Sequence, residues 1–427
     1  MDVKIFYSQS LRTLKIAGYM LCLMLLFAGK ADAEPDAEPL LGAQVEAMLQ
    51  WAQQHNPQLV ASRAEAEAAA QRADTADAWA DPTLRAEWMG INNIDNVTRS
   101  TRYTLMQAVP FWGKRGLRRE VAESEINQAQ GQSLETWAAL ASVIKTDFAQ
   151  YYLLHRSQKI TQEMLDLTNH LERAAQARYA TGLAAQQDVL RVQIEQTQLQ
   201  RALLILETEH HHVIARLNTA MRRPASAPLI EPQNLRPIPP SAAREISVLA
   251  QRLRDKNPQL FAAEAKLISA EKNRELTLKN RYPDLILGVA PVRSGGQTME
   301  WGVMAEFNIP LQQGSRRAQE RAANVELNAE RLRTESLLTQ LLGDLSKQVI
   351  SLEAALRMEN LAASNLLPQA EATLQAALVG YQNGKVDFAT LLDVQQQLLK
   401  AKLDVLNAQV EAQISLAQIE KLLGEDL

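Results

Sequence analysis

The feature that most constrains this chain is that it is written twice. Asn56-Pro57-Gln58-Leu59 returns as Asn257-Pro258-Gln259-Leu260, Pro82 as Pro283, Pro110 as Pro310 and Gly113 as Gly314. Tyr179-Ala180-Thr181-Gly182 returns as Tyr381-Gln382-Asn383-Gly384, and Leu190-Arg191-Val192-Gln193 as Leu392-Asp393-Val394-Gln395. The offsets stay between 200 and 202 residues, so the register holds with almost no insertion. Each copy carries far more helix than one globular core can bury, and two short strands that need partners from elsewhere. A symmetric, elongated object follows.

Each copy reads helix, strand, strand, long helix, turn, helix. Residues 41–80 are rich in Ala, Gln and Glu up to Pro82, which pushes the residue before it toward extended backbone. Strands are expected at 83–91 and 100–109, joined across Asn92, Asn93, Asp95 and Asn96, and at 284–292 and 299–309, joined across Ser294-Gly295-Gly296. The last of these alternates strictly: Met299, Trp301, Val303, Ala305, Phe307 and Ile309 face one way and Glu300, Gly302, Met304, Glu306 and Asn308 the other. Such a period fits a membrane strand with a wet inner face, and equally a two-sided soluble sheet.

From Gly113 to about Tyr179, and from Gly314 to about Tyr381, the pattern is helical. At 1.5 Å per residue each stretch is roughly 100 Å long. Leu134, Trp137, Ala141, Ile144, Phe148, Tyr151 and His155 recur at steps of three and four, a coiled-coil seam. Leu338, Leu341, Leu345, Val349, Leu352 and Leu356 keep a longer average step, nearer an untwisted helix. Gly182 and Gly384 break the helices, and 186–220 and 387–424 return antiparallel. Between the copies (34–221 and 244–427) lies a linker, 222–243, which holds Pro224, Pro228, Pro232, Pro237, Pro239 and Pro240 and cannot be regular helix.

Residues 1–33 read as a signal peptide: Lys4, Arg12 and Lys15 precede an apolar run from Ile16 to Gly29 and a small-x-small site at Ala31-Asp32-Ala33. A membrane anchor is the alternative. The one cysteine, Cys22, leaves with that segment. Cleavage removes four basic and two acidic residues from the 45 and 49 of the whole, leaving 41 against 47. This balance argues against nucleic-acid binding. No later stretch is apolar enough for a membrane helix, so any membrane entry must use β-strands.

These residues together resemble the TolC family of outer-membrane factors. The carriers are the doubled Asn-Pro-Gln-Leu, Gln107-Ala-Val-Pro-Phe-Trp-Gly113-Lys-Arg-Gly116 at the strand-to-helix junction, Leu217-Asn-Thr-Ala-Met-Arg-Arg-Pro224, and the turns Tyr179–Gln193 and Tyr381–Gln397. Pro-Phe-Trp-Gly-Lys-Arg is most similar to the CzcC-type heavy-metal efflux branch. The resemblance implies an α+β membrane protein: a homotrimer pooling four strands per chain into a 12-stranded β-barrel, continuous with a long α-helical periplasmic barrel. It implies an exit duct in the outer membrane of a Gram-negative bacterium, serving a periplasmic membrane-fusion adaptor and an inner-membrane efflux pump of RND type. Alternatives are a type I protein-secretion duct and, outside the family, a soluble periplasmic coiled-coil scaffold.

The resemblance assigns adaptor contacts to the tips, at Tyr179, Thr181, Gly182, Leu183, Tyr381, Asn383, Gly384 and Lys385, though glycines there also serve the turn alone. It assigns the narrow entrance to Asp188, Arg191, Thr390 and Asp393; Thr390 departs from a doubly acidic pattern, and a solvated helix face is the plainer reading. Trp88, Tyr103, Phe111, Trp112, Tyr282, Trp301 and Phe307 supply membrane-interface aromatics, or simple packing. His210-His211-His212 point about 100° apart on a helix and cannot converge on one ion, so they read as a polar helix end. His155, on the seam, reads as a packed histidine. No cofactor is implied. Gly113-Lys114-Arg115 lacks the glycine-rich loop of a phosphate site, and no enzyme motif is present.

Overall fold

The computed structural model describes residues 41–89, 100–294 and 298–427. The 1–33 segment and the turn residues Asn92, Asn93, Asp95, Asn96, Gly295 and Gly296 lie outside them. The helices are α1 (Val45–His55), α2 (Pro57–Ala76), α3 (Lys114–Ala180) and α4 (Gln186–Ala220) in the first copy. The second copy has α5 (Ile246–Lys256), α6 (Pro258–Lys279), α7 (Gln313–Leu361), α8 (Leu367–Gln382) and α9 (Phe388–Leu423). The strands are β1 (Thr83–Met89), β2 (Ser100–Val109), β3 (Leu285–Ser294) and β4 (Thr298–Phe307).

The duplicated Asn-Pro-Gln-Leu has a structural meaning. Asn56 caps α2 by accepting from the Gln58 and Leu59 amides at 2.9 and 3.4 Å, while Pro57 sits at the first helical position, where its missing N–H costs nothing. The Asn56 amide also donates 2.9 Å to the Ala220 carbonyl, at the end of α4. Asn257 repeats the device: it accepts from Leu260 N at 2.7 Å and donates to Leu422 O, at the end of α9, at 2.7 Å. Each asparagine therefore starts one helix and splices it onto the end of another. Gly424 makes the second splice close: it is left-handed at φ 74°, and a Cβ there would lie 2.7 Å from Pro258 Cδ.

The splices produce four parallel columns, in lateral order α2 with α4, α3, α6 with α9, and α7 with α8. The 67-residue α3 runs the whole way alone. The seam from Ala141 through His155 is buried. Leu134, assigned to that seam, is exposed. At its level α3 faces α6 through Gly131, where a Cβ would sit 2.8 Å from Ala262 Cβ, so the contact face turns away from Leu134. Below, α3 faces α9 and α4, with Phe148, Leu154 and Leu171 inside.

The second long helix is not α-helical throughout. Ala362–Leu366 widens into one π turn between α7 and α8. Pro368 explains it: proline lacks the N–H and its ring crowds the carbonyl four residues back, which the wider turn relieves. The strand edges also shift. β1 is described as far as Met89, β3 begins at Leu285 and reaches Ser294, and β4 stops at Phe307, so Ile309 lies beyond it.

The linker is a strap. A 3₁₀ turn (Ser241–Arg244) ends it, Gln233 N bonds Ala43 O at 3.2 Å, and Tyr151 Oη donates to Ile230 O at 3.2 Å. Arg236 grips Glu420 with two 2.9 Å bonds. Lys145 approaches the same carboxylate at 2.7 Å and also pairs with Asp426. The Glu420 carboxylate and the Lys145 side chain are both buried, so their polar atoms meet each other and Arg236 in one hydrogen-bonded cluster.

The sheet is antiparallel in the order β1-β2-β3-β4. Its β2–β3 ladder skips Tyr103 and Thr104, opposite Pro291 and Ala290, where proline has no N–H to give. One face carries Leu84, Leu105, Val289 and Val303 across one row and Ala86, Tyr103 and Trp301 along the next, and these large side chains are exposed. The opposite face carries Arg85, Glu87, Arg102, Thr104, Met106, Gly288, Gly302 and Met304, with both arginines 3.9 Å from Glu87. A sheet with its apolar side bare and its charges on the other side is inverted relative to a soluble fold.

Candidate functional site

Two features stand out: the helix tips far from the sheet, and the sheet itself. At the first tip α3 ends in a left-handed glycine, Gly182 at φ 75°; Leu183 N bonds Arg178 O at 2.8 Å and Gly182 N bonds Tyr179 O at 2.9 Å. The second tip repeats this: Gly384 has φ 69°, Lys385 N bonds Gly380 O at 2.8 Å and Gly384 N bonds Tyr381 O at 3.0 Å. This pattern satisfies the last carbonyls of each helix and reverses the chain. Thr181, Gly182, Leu183, Asn383, Gly384 and Lys385 are all exposed, and so is Tyr179, whereas Tyr381 is buried.

The two tips touch through a residue the sequence reading did not single out. Arg178 reaches from α3 to the end of α8 and donates to Tyr381 O at 2.7 Å and Gln382 O at 3.4 Å. Its guanidinium also lies 4.7 Å from the centre of the Tyr381 ring. A cation on the last carbonyls of a helix complements the helix dipole, and on a ring face it adds a cation–π contact. The signal in the sequence was only an arginine four residues before Gly182. Tyr381 packs beside Phe388, its centroid 5.3 Å away. Burial raises the Tyr381 phenol; Arg178 opposes that and Asp188 adds to it.

Asp188 and Arg191 lie on α4, Thr390 and Asp393 on α9. Asp188 is half-buried and close enough to Tyr381 to raise its phenol. Thr390 gives its backbone N–H to the Asp387 carboxylate at 2.8 Å, so Asp387 caps α9. That hydrogen bond, with Arg191 nearby, lowers the Asp387 carboxyl. Thr390 thus takes part in a cap. Asp393 stands exposed on α9 and makes no ion pair among the described residues.

Among the aromatics, Trp88, Tyr103, Trp301 and Phe307 lie on the bare apolar sheet face. Phe111 stacks on Tyr282 at 4.4 Å and meets Trp112 edge-on at 6.2 Å, just beneath the sheet. Trp79 was missed: it is exposed, with the Arg115 guanidinium 4.4 Å over its ring. His155 is buried with Nε2 3.3 Å from Glu231, and burial lowers it. His210 is half-buried beside Tyr151, while His211 and His212 face solvent. Among the described residues no three His, Cys, Asp or Glu side chains gather to hold a metal.

Similarity to known proteins agrees with this geometry. The sequence profile of the family described as outer membrane efflux protein matches residues 48–221 and 249–425, one stretch in each copy. The chain is 23% identical over 343 residues to the cobalt-zinc-cadmium resistance protein CzcC of Cupriavidus metallidurans, covering 78% of this chain and 79% of that protein. It is 22% identical over 325 residues to the pyoverdine export outer membrane protein OpmQ of Pseudomonas aeruginosa, covering 74% and 66%. The crystal structure of the outer membrane protein VceC from Vibrio cholerae superposes with a TM-score of 0.78 at 19% identity, covering 90% of this chain and 97% of that one.

Proposed function

Because the chain belongs to the outer membrane efflux protein family, we propose that three copies form a duct through the outer membrane and that a metal-efflux pump delivers its cargo. The soluble-scaffold alternative lapses with that membership. The observation that carries the proposal is the sheet. Its apolar face is bare, and β1 and β4 leave open edges that lipid would not tolerate. The helical columns have open flanks on the same two sides. Leu190, Ile194, Leu204 and Ile205 are exposed on α4, and Val325, Leu332, Ile350 and Met358 on α7. An apolar groove of about 1110 Å³ runs beside the π turn between columns of the same chain, lined by Leu153 of α3, Met358, Leu361 and Leu366, and Val410 and Ile414 of α9. First-copy edges meeting second-copy edges of the next chain make a head-to-tail ring, and three chains of four strands give twelve.

The tips then point to the pump side. Thr181, Gly182, Leu183, Asn383, Gly384 and Lys385 offer exposed backbone and small side chains to an adaptor. Three Asp393 carboxylates at the mouth set a field that favours cations. CzcC's role in cobalt, zinc and cadmium resistance favours metal cargo; OpmQ's pyoverdine export favours an organic one. The test is to delete the protein and measure growth in zinc, cobalt and cadmium against growth in dyes. Metal sensitivity alone, restored by the wild-type chain, supports the reading. Dye sensitivity without metal sensitivity overturns it. Asp393→Asn should lower cation selectivity in planar bilayers; unchanged selectivity removes the carboxylate ring from the account.

A further inference from the structure

Directly beneath the sheet the chain changes character. The bare apolar surface ends at Phe307, Ile309, Leu311 and Trp112, all exposed. The next turns of helix are cationic. The start of α3 holds Lys114, Arg115, Arg118 and Arg119, the end of α6 holds Lys279 with Arg281 after it, and the start of α7 holds Arg316, Arg317 and Arg321. Over residues 76–82, 110–121, 278–284 and 308–321, which form this band, nine basic residues face five acidic ones, in a chain whose net charge is −4.

Helix formation does not explain the cations that open α3 and α7, whereas Lys279 ends α6, where a cation complements the dipole. Neither α3 nor α7 has an acid in its first turn. The positive end of the helix dipole favours acids there and disfavours Lys and Arg. Some are held by local partners: Lys114 by Asp284 at 2.8 Å, Arg119 by Glu123 at 2.9 Å, and Arg281 by Glu320. The side chains of Arg118, Arg317 and Arg321 are exposed and make no ion pair or hydrogen bond among the described residues, though Arg118 lies near enough to Asp284, and Arg317 to Glu320, to lower those carboxyls. A polar recess of about 310 Å³ opens in the same band, lined by Asn280, Asn308, Ser315, Arg316 and the Lys114–Asp284 pair.

We propose that this band is a phosphate-binding belt that docks on anionic phospholipid headgroups at the periplasmic rim of the membrane and fixes the depth at which the duct sits. Charge complementarity selects the occupant. A surplus of cations beneath an apolar face edged by Trp79, Trp112 and Tyr282 matches acyl chains above and phosphates below. The inference rests on the reading that the sheet spans a bilayer.

The experiment compares the intact protein with Arg118→Gln/Arg317→Gln/Arg321→Gln and with a control, Arg63→Gln/Arg201→Gln/Arg254→Gln, at three exposed arginines elsewhere. Each is titrated in detergent with phosphatidylglycerol, phosphatidylcholine or inorganic phosphate, and native mass spectrometry counts bound molecules. The wild type and the control should prefer phosphatidylglycerol over phosphatidylcholine by roughly tenfold or more, and the belt variant should fall to about twofold. Equal preference in all three proteins overturns the belt while leaving a membrane duct intact. Inorganic phosphate binding as strongly as the lipid also overturns it, since the headgroup would then not be the occupant. A chain that fails to enter bilayers at all overturns both the belt and the duct.

Discussion

Arg178 offers the sharpest single perturbation. Replacing it with Ala removes a charged donor from Tyr381 O at 2.7 Å and a cation from the ring 4.7 Å away. A hydrogen bond to a charged group contributes about 1.5–3 kcal/mol, and an exposed cation–π contact about 0.5–1 kcal/mol. Partial exposure puts the sum near the low end, so the contact between tips should weaken by about 2 kcal/mol, or roughly thirtyfold in its equilibrium. Single-channel recording in planar bilayers reads this directly: the variant should dwell longer in, or switch more often to, a higher-conductance state. Arg178→Lys keeps the charge but loses the forked geometry, and should fall between. Tyr381→Phe should change little, because the Tyr381 hydroxyl has no partner among the described residues. Arg178→Ala channels with wild-type conductance and dwell times would refute the view that this arginine ties the tips.

Three further outcomes follow from the geometry. Asn56→Ala and Asn257→Ala each lose a cap and a splice to the neighbouring helix, and each should cost about 1–3 kcal/mol in thermal or denaturant melts; paired losses near zero would deny the splices their role. At Gly380 a Cβ would lie 2.5 Å from Val386 Cγ2, so Gly380→Ala should impair the second tip and Val386→Ala should restore it, measured by protease nicking at the tip; equal nicking with and without Val386→Ala would count against the clash. His155, lowered chiefly by burial, is held neutral in the fold. Its contribution is present above the ordinary histidine value of about 6.5 and is lost as pH falls from there through the lower folded value. Amide protection factors in residues 228–233, corrected for the intrinsic slowing of exchange at lower pH, should therefore fall on mild acidification, and His155→Gln should flatten that response.

Much of this fold was legible because its rules are local. Proline before a strand, glycine at a turn and alternation along β4 each act within a few residues, and they placed Gly182, Gly384 and the four strands. The features that were not legible depend on groups far apart in the chain. Asn56 and Ala220 are 164 residues apart, so the doubled motif announced itself as a repeat without revealing that it splices helices. Arg178 and Tyr381 meet across 203 residues, and no pattern around either one signals it. Leu134 fits the seam by spacing, but α3 changes partners along its length. Pro368 lies inside the stretch read as helical from Gly314 to Tyr381, and its effect is a widened turn flanked by the buried Ala362 and Ala370.

The central claim is that separate chains pool their sheets edge to edge. The direct measurement is disulfide trapping with cysteines paired across β1 and β4, scanned along the two strands in otherwise identical protein in outer-membrane fractions. The account predicts that particular pairs, and neither single cysteine of those pairs, yield covalent species that stop at three chains. Pairs that link only within one chain, or a ladder that runs past three, would contradict it.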